Sequence, residues 1–245
     1  MSRFFVNQGA VKADHIEITD KEDIKHICKV LRLCVGDKLE VSDASEFEYE
    51  TEILSADHEM VTVRILDKQR FSREPEIKVT LFQGVPKHGK METIIQKAVE
   101  LGVYSIVPVF TKRTVVTEKQ GFEKKLDRWN KISAEAVKQC KRGIVPEIER
   151  SVSFSQMLDR LAEYDLVLFP YENENESTIK DALRGLAEPV RHIALIIGPE
   201  GGFSDEEAKE VTALKGRSVS LGKTILRTET AGPAALAMIM YELEM

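Results

Sequence analysis

Hydrophobic and polar residues follow two different patterns along the chain. Residues 1 to 72 carry short strand-like runs of apolar and β-branched residues separated by turn signals, namely RFFV, HIEIT, DKLEVSD, YETEIL and MVTVRIL. One amphipathic stretch, DIKHICKVLRL, interrupts these runs, and its apolar face consists of Ile24, Ile27, Val30 and Leu31. This pattern predicts a small β-barrel or sandwich with one helix.

Beyond a polar junction, FSREPE at residues 71–76, apolar strands alternate with helical periods. The strands are IKVTLFQG, YSIVPVF, DLVLFPY, RHIALIIG and GRSVSLG. The predicted helices lie near 89–101, 122–140, 154–162, 177–186, 204–214 and 230–243. Apolar strands that alternate with helices are typical of a parallel sheet covered on both faces. We therefore predict two domains, 1–72 and 73–245, the second of the α/β class.

Composition narrows the class of protein. The chain has 245 residues, 42% of them hydrophobic, which is enough apolar material for real cores. Its start has no apolar signal-peptide segment, and no run reaches the roughly eighteen apolar residues of a membrane span. Three cysteines without a metal-binding spacing support neither a disulfide framework nor a zinc site. These features predict an unexported, cytoplasmic protein with no membrane partner and no metal.

Charge is distributed unevenly. The net charge is −6, yet residues 86 to 142 contain thirteen Lys and Arg against six Asp and Glu. Such a run is often only a solvated helix face, and that alternative stays open. The sharper interpretation is a surface for a polyanion such as RNA.

Two stretches come close to the phosphate loop of nucleoside triphosphatases. GVPKHGK, from Gly84 to Lys90, fits G-x-x-x-x-G-K, but Met91 stands where the motif needs a hydroxyl for magnesium. GRSVSLGKT has one residue too many between its glycines. A triphosphatase remains an alternative, and the cations Lys87, His88 and Lys90 at a helix start suit phosphate in either case.

Three polar or glycine-bearing loops follow predicted strands. They are FPYENENES, IIGPEGGFSDEE and LGKTILRTETAGPAA. Ligands of open α/β sheets bind beyond the carboxyl ends of the strands, so the three loops are expected to converge on one site. An N-cap at Ser204 followed by acidic residues explains the second half of the middle loop without a ligand, but it does not explain the three glycines and one proline within residues 198–202.

These motifs, with IIQKAVELGV and WNKISAEAVKQCKRGIVPEI, closely resemble the bacterial ribosomal RNA small-subunit methyltransferase E family of the SPOUT class. HICKVLRLCVGD resembles its RNA-binding, PUA-like N-terminal domain. One departure is Cys140, where the family usually has a small residue. The resemblance implies a PUA-like β-barrel followed by a SPOUT-type parallel sheet, with a trefoil knot in the C-terminal third. It also implies a homodimer whose active site lies at the subunit interface.

The implied reaction is methylation of N3 of one uridine in 16S ribosomal RNA by S-adenosyl-L-methionine, either on naked RNA or on the assembled 30S subunit. That cofactor already carries a leaving group, because its methyl group is bound to a sulfonium. The reaction therefore requires no metal. Adenine and ribose suit an apolar slot with backbone donors and acceptors. The expected cofactor-binding residues are Phe169, Pro170, Ile197, Gly198, Pro199, Gly201, Leu221, Gly222, Ile225, Leu226, Thr228 and Ala231.

Uridine N3 carries a proton at neutral pH that the enzyme has to remove or share. Arg227 is the candidate for stabilising negative charge on the uracil carbonyls, although an ion pair with Glu229 or a phosphate contact fits it equally well. Glu229 and Glu200 are candidate bases, and helix capping or complementing a helix dipole is the alternative for both.

Cations and one amide are expected to contact RNA, since phosphates are held by Lys and Arg. They are Arg3, Arg32, Lys87, Lys90, Lys97, Arg113, Gln139 and Arg142. Besides a methyltransferase, the sequence leaves open a phosphate-loop enzyme and an RNA-binding module without catalysis.

Overall fold

The computed structural model describes residues 3–71, 74–116, 122–184, 186 and 189–244. They divide into two compact units. The first contains Met1–Glu74 together with the later segment Val137–Val145, and the second contains Pro75–Ala136 and Pro146–Met245. The sequence pattern had placed Val137–Val145 with the second domain, whereas the contacts group it with the first unit.

The first unit is built on a mixed five-stranded sheet in the order β1-β3-β4-β5-β2. The strands are β1 (Arg3–Phe5), β2 (His15–Ile18), β3 (Lys38–Ser42), β4 (Phe47–Ala56) and β5 (Val61–Arg70). Strands β1 and β3 are parallel, and the other neighbours are antiparallel. Alternate residues face the core, as the geometry of a β-strand requires: Leu39 and Val41 of β3 are fully buried, and so are Val61 and Val63 of β5.

The amphipathic stretch forms α1 (Lys21–Lys25), which continues as a π-helical turn over His26–Val30. Ile24 and Ile27 are buried as predicted, but Val30 is 62% exposed, so its place on the apolar face was predicted wrongly. A π turn contains more residues than an α turn, and it therefore rotates the residues that follow away from the expected face.

Polar contacts attach the segment Val137–Val145 to the rest of the first unit. The Ser42 hydroxyl donates to the carbonyl of Gly143 at 2.6 Å. The Glu74 carboxylate accepts the N–H groups of Gly143 at 2.6 Å and Ile144 at 3.0 Å. These are buried or partly buried backbone groups, and the contacts satisfy them where water has little access.

The second unit contains a parallel sheet in the order β12-β10-β11-β6-β7-β8, with β9 paired to β7. Its strands are β6 (Lys78–Gly84), β7 (Ser105–Phe110), β8 (Glu147–Ile148), β9 (Val152–Ser153), β10 (Leu166–Pro170), β11 (His192–Ile197) and β12 (Gly216–Val219). The predicted parallel α/β architecture is confirmed. The two-residue strands β8 and β9 were not predicted, because they are too short to show a period.

Helices cover both faces of this sheet. They are α2 (Lys90–Glu100), α3 (Phe122–Cys140), α4 (Phe154–Arg160), α5 (Ile179–Arg184), α6 (Asp205–Ala213) and α7 (Thr228–Glu244). On one face, Phe82 and Ile196 form a core with Met157 of α4 and Val211 of α6. On the other face, α7 packs against β6 and β11.

The last helix begins two residues earlier than predicted and includes Pro233. Its start is held by the carbonyl of Arg227, which accepts the N–H groups of Thr230 and Ala231 at 2.8 Å each. Thr228 therefore lies in the first turn of α7, directly beside the loop that follows β11.

Candidate functional site

The three loops identified in the sequence follow β10, β11 and β12, which are neighbours in the sheet. Because these strands are parallel, their carboxyl ends lie at the same edge. A cavity of about 540 Å³ opens there and is lined by residues from all three loops. The expected convergence of the loops is confirmed.

Most of the residues expected to bind a cofactor line this cavity. They are Pro170, Ile197, Gly198, Pro199, Gly201, Leu221, Gly222, Ile225, Leu226, Thr228 and Ala231. Phe169 does not line it. Its side chain is 1% exposed and packs with its ring centroid 5.0 Å from that of Phe203, so it belongs to the core beneath the site.

The glycines of the middle loop are explained first by neighbouring protein atoms. A Cβ on Gly198 would lie 3.0 Å from the ring of Phe203. Gly202 has φ +63°, and a Cβ there would lie 2.9 Å from the Glu172 carboxylate. The loop is therefore folded closely against its own supports, and the absence of side chains serves this packing as well as access to the cavity.

The predicted N-cap at Ser204 is confirmed, and the structure adds a capping box with Glu207, which was not predicted from the sequence. The Ser204 hydroxyl accepts the N–H of Glu207 at 3.2 Å, and the Glu207 carboxylate accepts the N–H of Ser204 at 2.8 Å. Glu207 is 1% exposed and also accepts the backbone N–H of Lys112 at 2.8 Å. These residues start α6 and anchor the turn after β7, and they do not line the cavity.

A cluster of three charges stands at the side of the cavity formed by the start of α2. The Lys90 ammonium lies 3.1 Å from Glu200 Oε1 and 3.2 Å from Glu229 Oε2. Glu200 also accepts the backbone N–H of Lys87 at 3.1 Å. In a phosphate loop, the Lys90 ammonium and the Lys87 backbone N–H would bind a phosphate. Here both contact the Glu200 carboxylate instead, which argues against the triphosphatase alternative.

The cluster keeps its members ionised. The neighbouring carboxylates of Glu200 and, to a smaller extent, Glu229 raise the pKa of Lys90. Partial burial opposes ionisation of Glu200, but hydrogen bonds from its own backbone N–H, Lys90 and Lys87 outweigh burial and lower its pKa. The backbone N–H of Glu229 lowers the pKa of its own carboxyl, and Lys90 lowers it further.

Arg227 lines the cavity and is exposed. Glu229 is paired with Lys90, so the alternative of a direct Arg227–Glu229 ion pair is not realised in the described residues. The charge of Arg227 still contributes to lowering the pKa of Glu229. The guanidinium is therefore near the carboxylate and accessible from the cavity.

The residues expected to contact RNA divide into two groups. Arg32, Lys87, Lys97, Arg113 and Gln139 are exposed, and Lys90 is half-buried beside the cavity. Three of them have partners of their own: Lys90 pairs with Glu200 and Glu229, Lys97 pairs with Glu100 at 2.9 Å, and Arg113 donates to the Gly201 carbonyl at 2.9 Å.

Arg3 and Arg142 are the exceptions to that prediction. Arg3 is 8% exposed and pairs with Glu48 and Glu40, while Arg142 is 5% exposed and pairs with Glu74 at 2.8 Å. A buried, paired guanidinium has no face left for phosphate. Both side chains instead pair with carboxylates of the first unit, which argues against their predicted contact with RNA.

Several cavity residues were missed by the sequence reasoning. They are Tyr171, Glu172, Glu174, Asn175, Phe203, Ser220, Lys223 and Thr224. The signal was present in FPYENENES, because a polar loop after a buried strand at the site edge is expected to contribute side chains. Within the described ranges, no group of three His, Cys, Asp or Glu is arranged to hold a metal ion. In the same ranges no helix is long and apolar enough to cross a membrane.

Two family models and several known proteins match this chain, and together they cover nearly its full length. A model described as an RNA methyltransferase domain matches residues 73–240, and one described as an RNA methyltransferase PUA domain matches residues 18–66. The ribosomal RNA small subunit methyltransferase E of Bacillus subtilis strain 168 is 33% identical, covering 100% of this chain and 98% of the relative.

Two solved structures add the fold and a ligand. A methyltransferase of Legionella pneumophila in complex with S-adenosylmethionine is 32% identical, with a TM-score of 0.84 and coverage of 98% and 97% of the two chains. The ribosomal RNA small subunit methyltransferase E of Neisseria gonorrhoeae, also bound to S-adenosylmethionine, is 26% identical, with a TM-score of 0.86 and coverage of 99% and 98%.

Proposed function

The chain belongs to the ribosomal RNA small subunit methyltransferase E family, a family of SPOUT-class RNA methyltransferases that use S-adenosylmethionine, and we propose that it methylates N3 of one uridine in 16S ribosomal RNA. The observation that supports this proposal is the cavity at the carboxyl edge of β10, β11 and β12, with Arg227 and the Lys90–Glu229 pair beside it.

The cavity suits the cofactor. Its volume of about 540 Å³ falls within the roughly 300–1,000 Å³ of small-molecule sites. Ile197 and Leu221 offer apolar surface for adenine, and the backbone of Gly198 and Gly222 offers donors and acceptors close to the ligand. When bound, S-adenosylmethionine supplies a methyl group that is attached to a positively charged sulfur. The sulfur is the leaving group and becomes a neutral thioether.

Glu229 and Arg227 act on the uracil in this proposal. The lowered pKa of Glu229 keeps its carboxylate ionised at neutral pH, ready to accept the N3 proton as the new N–C bond removes electron density from the ring. The Arg227 guanidinium lies on the cavity wall, where it stabilises negative charge that develops on the uracil oxygens.

Removing the positive charge beside Glu229 should change the pH dependence of the reaction. We expect Lys90→Met to raise the pKa of Glu229, because one of the groups that favour its ionised form is lost. Activity requires the ionised carboxylate, so the acid limb of kcat/KM for RNA at saturating cofactor should move to higher pH. Lys97→Met on the same helix, which removes a lysine paired with Glu100, is the matched control and should leave the limb in place. An identical profile for Lys90→Met and wild type would contradict Glu229 as the base.

The remaining parts of the proposal concern partners and topology. The first unit and the exposed cations Arg32 and Lys87 hold the RNA backbone, as naked RNA or within the 30S subunit, in the cytoplasm.

A homodimer completes the site: Ile225 at the cavity is 85% exposed and Tyr241 of α7 is 67% exposed, which is apolar surface that a second copy would cover. A crystal structure traced through the C-terminal third tests both the dimer and the trefoil knot.

The decisive experiment is transfer of labelled methyl from S-adenosylmethionine to small subunits isolated from cells that lack the activity. The modified base is then identified by mass spectrometry. We expect 3-methyluridine at one position, and loss of most of the product with Glu229→Gln and with Arg227→Ala. Binding of magnesium-ATP without binding of S-adenosylmethionine would favour a phosphate-loop enzyme. RNA binding without transfer would favour a module that has lost catalysis.

A further inference from the structure

A fully buried amide lies directly beneath the cavity and has no part in the reaction described above. Gln83 is the penultimate residue of β6 and is 0% exposed. Its Nε2 donates to the carbonyl of Gly84 at 3.0 Å and to the hydroxyl of Thr228 at 2.9 Å. The Thr228 hydroxyl in turn donates to the carbonyl of Gly198 at 2.6 Å.

The direction of each hydrogen bond in this chain is fixed by chemistry. The Gly84 carbonyl only accepts, so the amide nitrogen of Gln83 has to face it. The same nitrogen donates to Thr228, whose hydroxyl has a single proton. Because the amide already supplies the proton of that contact, the hydroxyl proton is free to point at Gly198.

This arrangement leaves the other amide atom unsatisfied. Among the described residues, Gln83 Oε1 has no hydrogen-bond partner. It lies near Gly232, where a Cβ would approach it to 3.4 Å, and side chains of Leu81 and Ile197 surround the same point. A buried acceptor without a donor costs free energy, so an apolar residue would suit the core better than glutamine.

We infer that Gln83 is a positioning residue for the cofactor site. The chain Gln83–Thr228–Gly198 joins the end of β6, the first turn of α7 and the loop after β11, and Thr228 and Gly198 both line the cavity. Gln83 orients the Thr228 hydroxyl, and the hydroxyl fixes the Gly198 peptide in the conformation that receives the ligand. An amide that donates from Nε2 to the Thr228 hydroxyl also brings Oε1 into the core, and this explains why an unsatisfied oxygen is tolerated there.

The inference rests on the proposal that this cavity holds S-adenosylmethionine, and calorimetric titration of the wild-type protein tests that point separately. If wild-type protein does not bind S-adenosylmethionine, the proposed function fails. If it binds and the variants below bind equally well, only the positioning role fails.

The test compares Gln83→Met, Thr228→Val, Thr228→Ser and the Gln83→Met/Thr228→Val double variant at a temperature where each is folded. We expect Gln83→Met and Thr228→Val each to raise the Kd for S-adenosylmethionine about tenfold, and Thr228→Ser to stay within about threefold of wild type. The double variant should bind about as well as either single one, because both changes break the same chain.

Thr51→Val is the matched control. It removes a buried threonine hydroxyl that donates to the Leu39 carbonyl at 2.9 Å in the first unit, so it should lower Tm and leave the Kd unchanged. A Gln83→Met variant that behaves like Thr51→Val overturns the inference. The inference is also overturned if the fold increase in Kd of the double variant equals the product of the fold increases of the two single variants. If Gln83→Met does not fold, equal affinities of Thr228→Val and Thr228→Ser overturn it.

Discussion

Gly84→Ala is expected to weaken S-adenosylmethionine binding by about ten- to a hundredfold and to lower the methylation rate at subsaturating cofactor. A Cβ at residue 84 would lie 2.5 Å from both the nitrogen and Cδ of Pro199, and 2.9 Å from the carbonyl carbon of Gly198. These are backbone and ring atoms, which no change of rotamer moves aside. The loop after β11 therefore has to shift, and with it one wall of the cavity. Isothermal titration with the folded variant measures the effect.

Gly89→Ala is the control for that substitution. Gly89 lies five residues further along the same segment, and a Cβ there would meet nothing within 4 Å. We expect its affinity for the cofactor to remain within about twofold of wild type. Wild-type affinity in Gly84→Ala would show that contact with β6 does not determine the shape of the loop.

Arg142→Ala is expected to lower the free energy of unfolding of the first unit by about 3 kcal/mol. The substitution leaves the Glu74 carboxylate, whose side chain is 12% exposed, without its 2.8 Å partner in a place that water hardly reaches. Urea denaturation followed by far-UV circular dichroism measures the loss. The salt dependence of RNA binding by the folded variant should stay unchanged, because the guanidinium is not on the surface.

An exposed ion pair in the same unit gives the comparison. Arg70 pairs with Glu46 at 2.8 Å, but the two side chains are 78% and 48% exposed. Arg70→Ala should therefore cost less than about 1 kcal/mol. If Arg142→Ala instead were as mild as Arg70→Ala and reduced the salt slope of RNA binding, Arg142 would be a phosphate contact after all.

The sequence was most informative where one physical rule acts over a whole element. Runs such as IKVTLFQG and RHIALIIG are apolar throughout because both faces of a parallel sheet are covered, and this alone predicted the sheet. The rule for carboxyl ends then placed three loops at one site before any side chain was located. The family prediction, drawn from the motifs in those loops, is confirmed by the family models and the relatives.

The sequence was least informative about which partner a polar residue has. Glu200 contacts Lys90 and the backbone of Lys87 across more than a hundred residues of chain, so no local pattern reveals the pair. Arg142 is a cation in a basic segment and looks like its exposed neighbours until Glu74 is seen beside it. Charge counts describe the chain, whereas binding depends on the charges that remain unpaired at the surface.

The discontinuous first unit affects the order in which the nascent protein can fold. Its N-terminal segment ends at Glu74, yet Arg142 and the Gly143 backbone, which supply contacts to Ser42 and Glu74, are synthesised about 70 residues later. At about 5–20 residues per second, the ribosome takes several seconds to make the intervening stretch. During that interval the ribosome synthesises β6, α2, β7 and α3. The unit that begins the polypeptide is thus completed only after synthesis of the second unit is well under way.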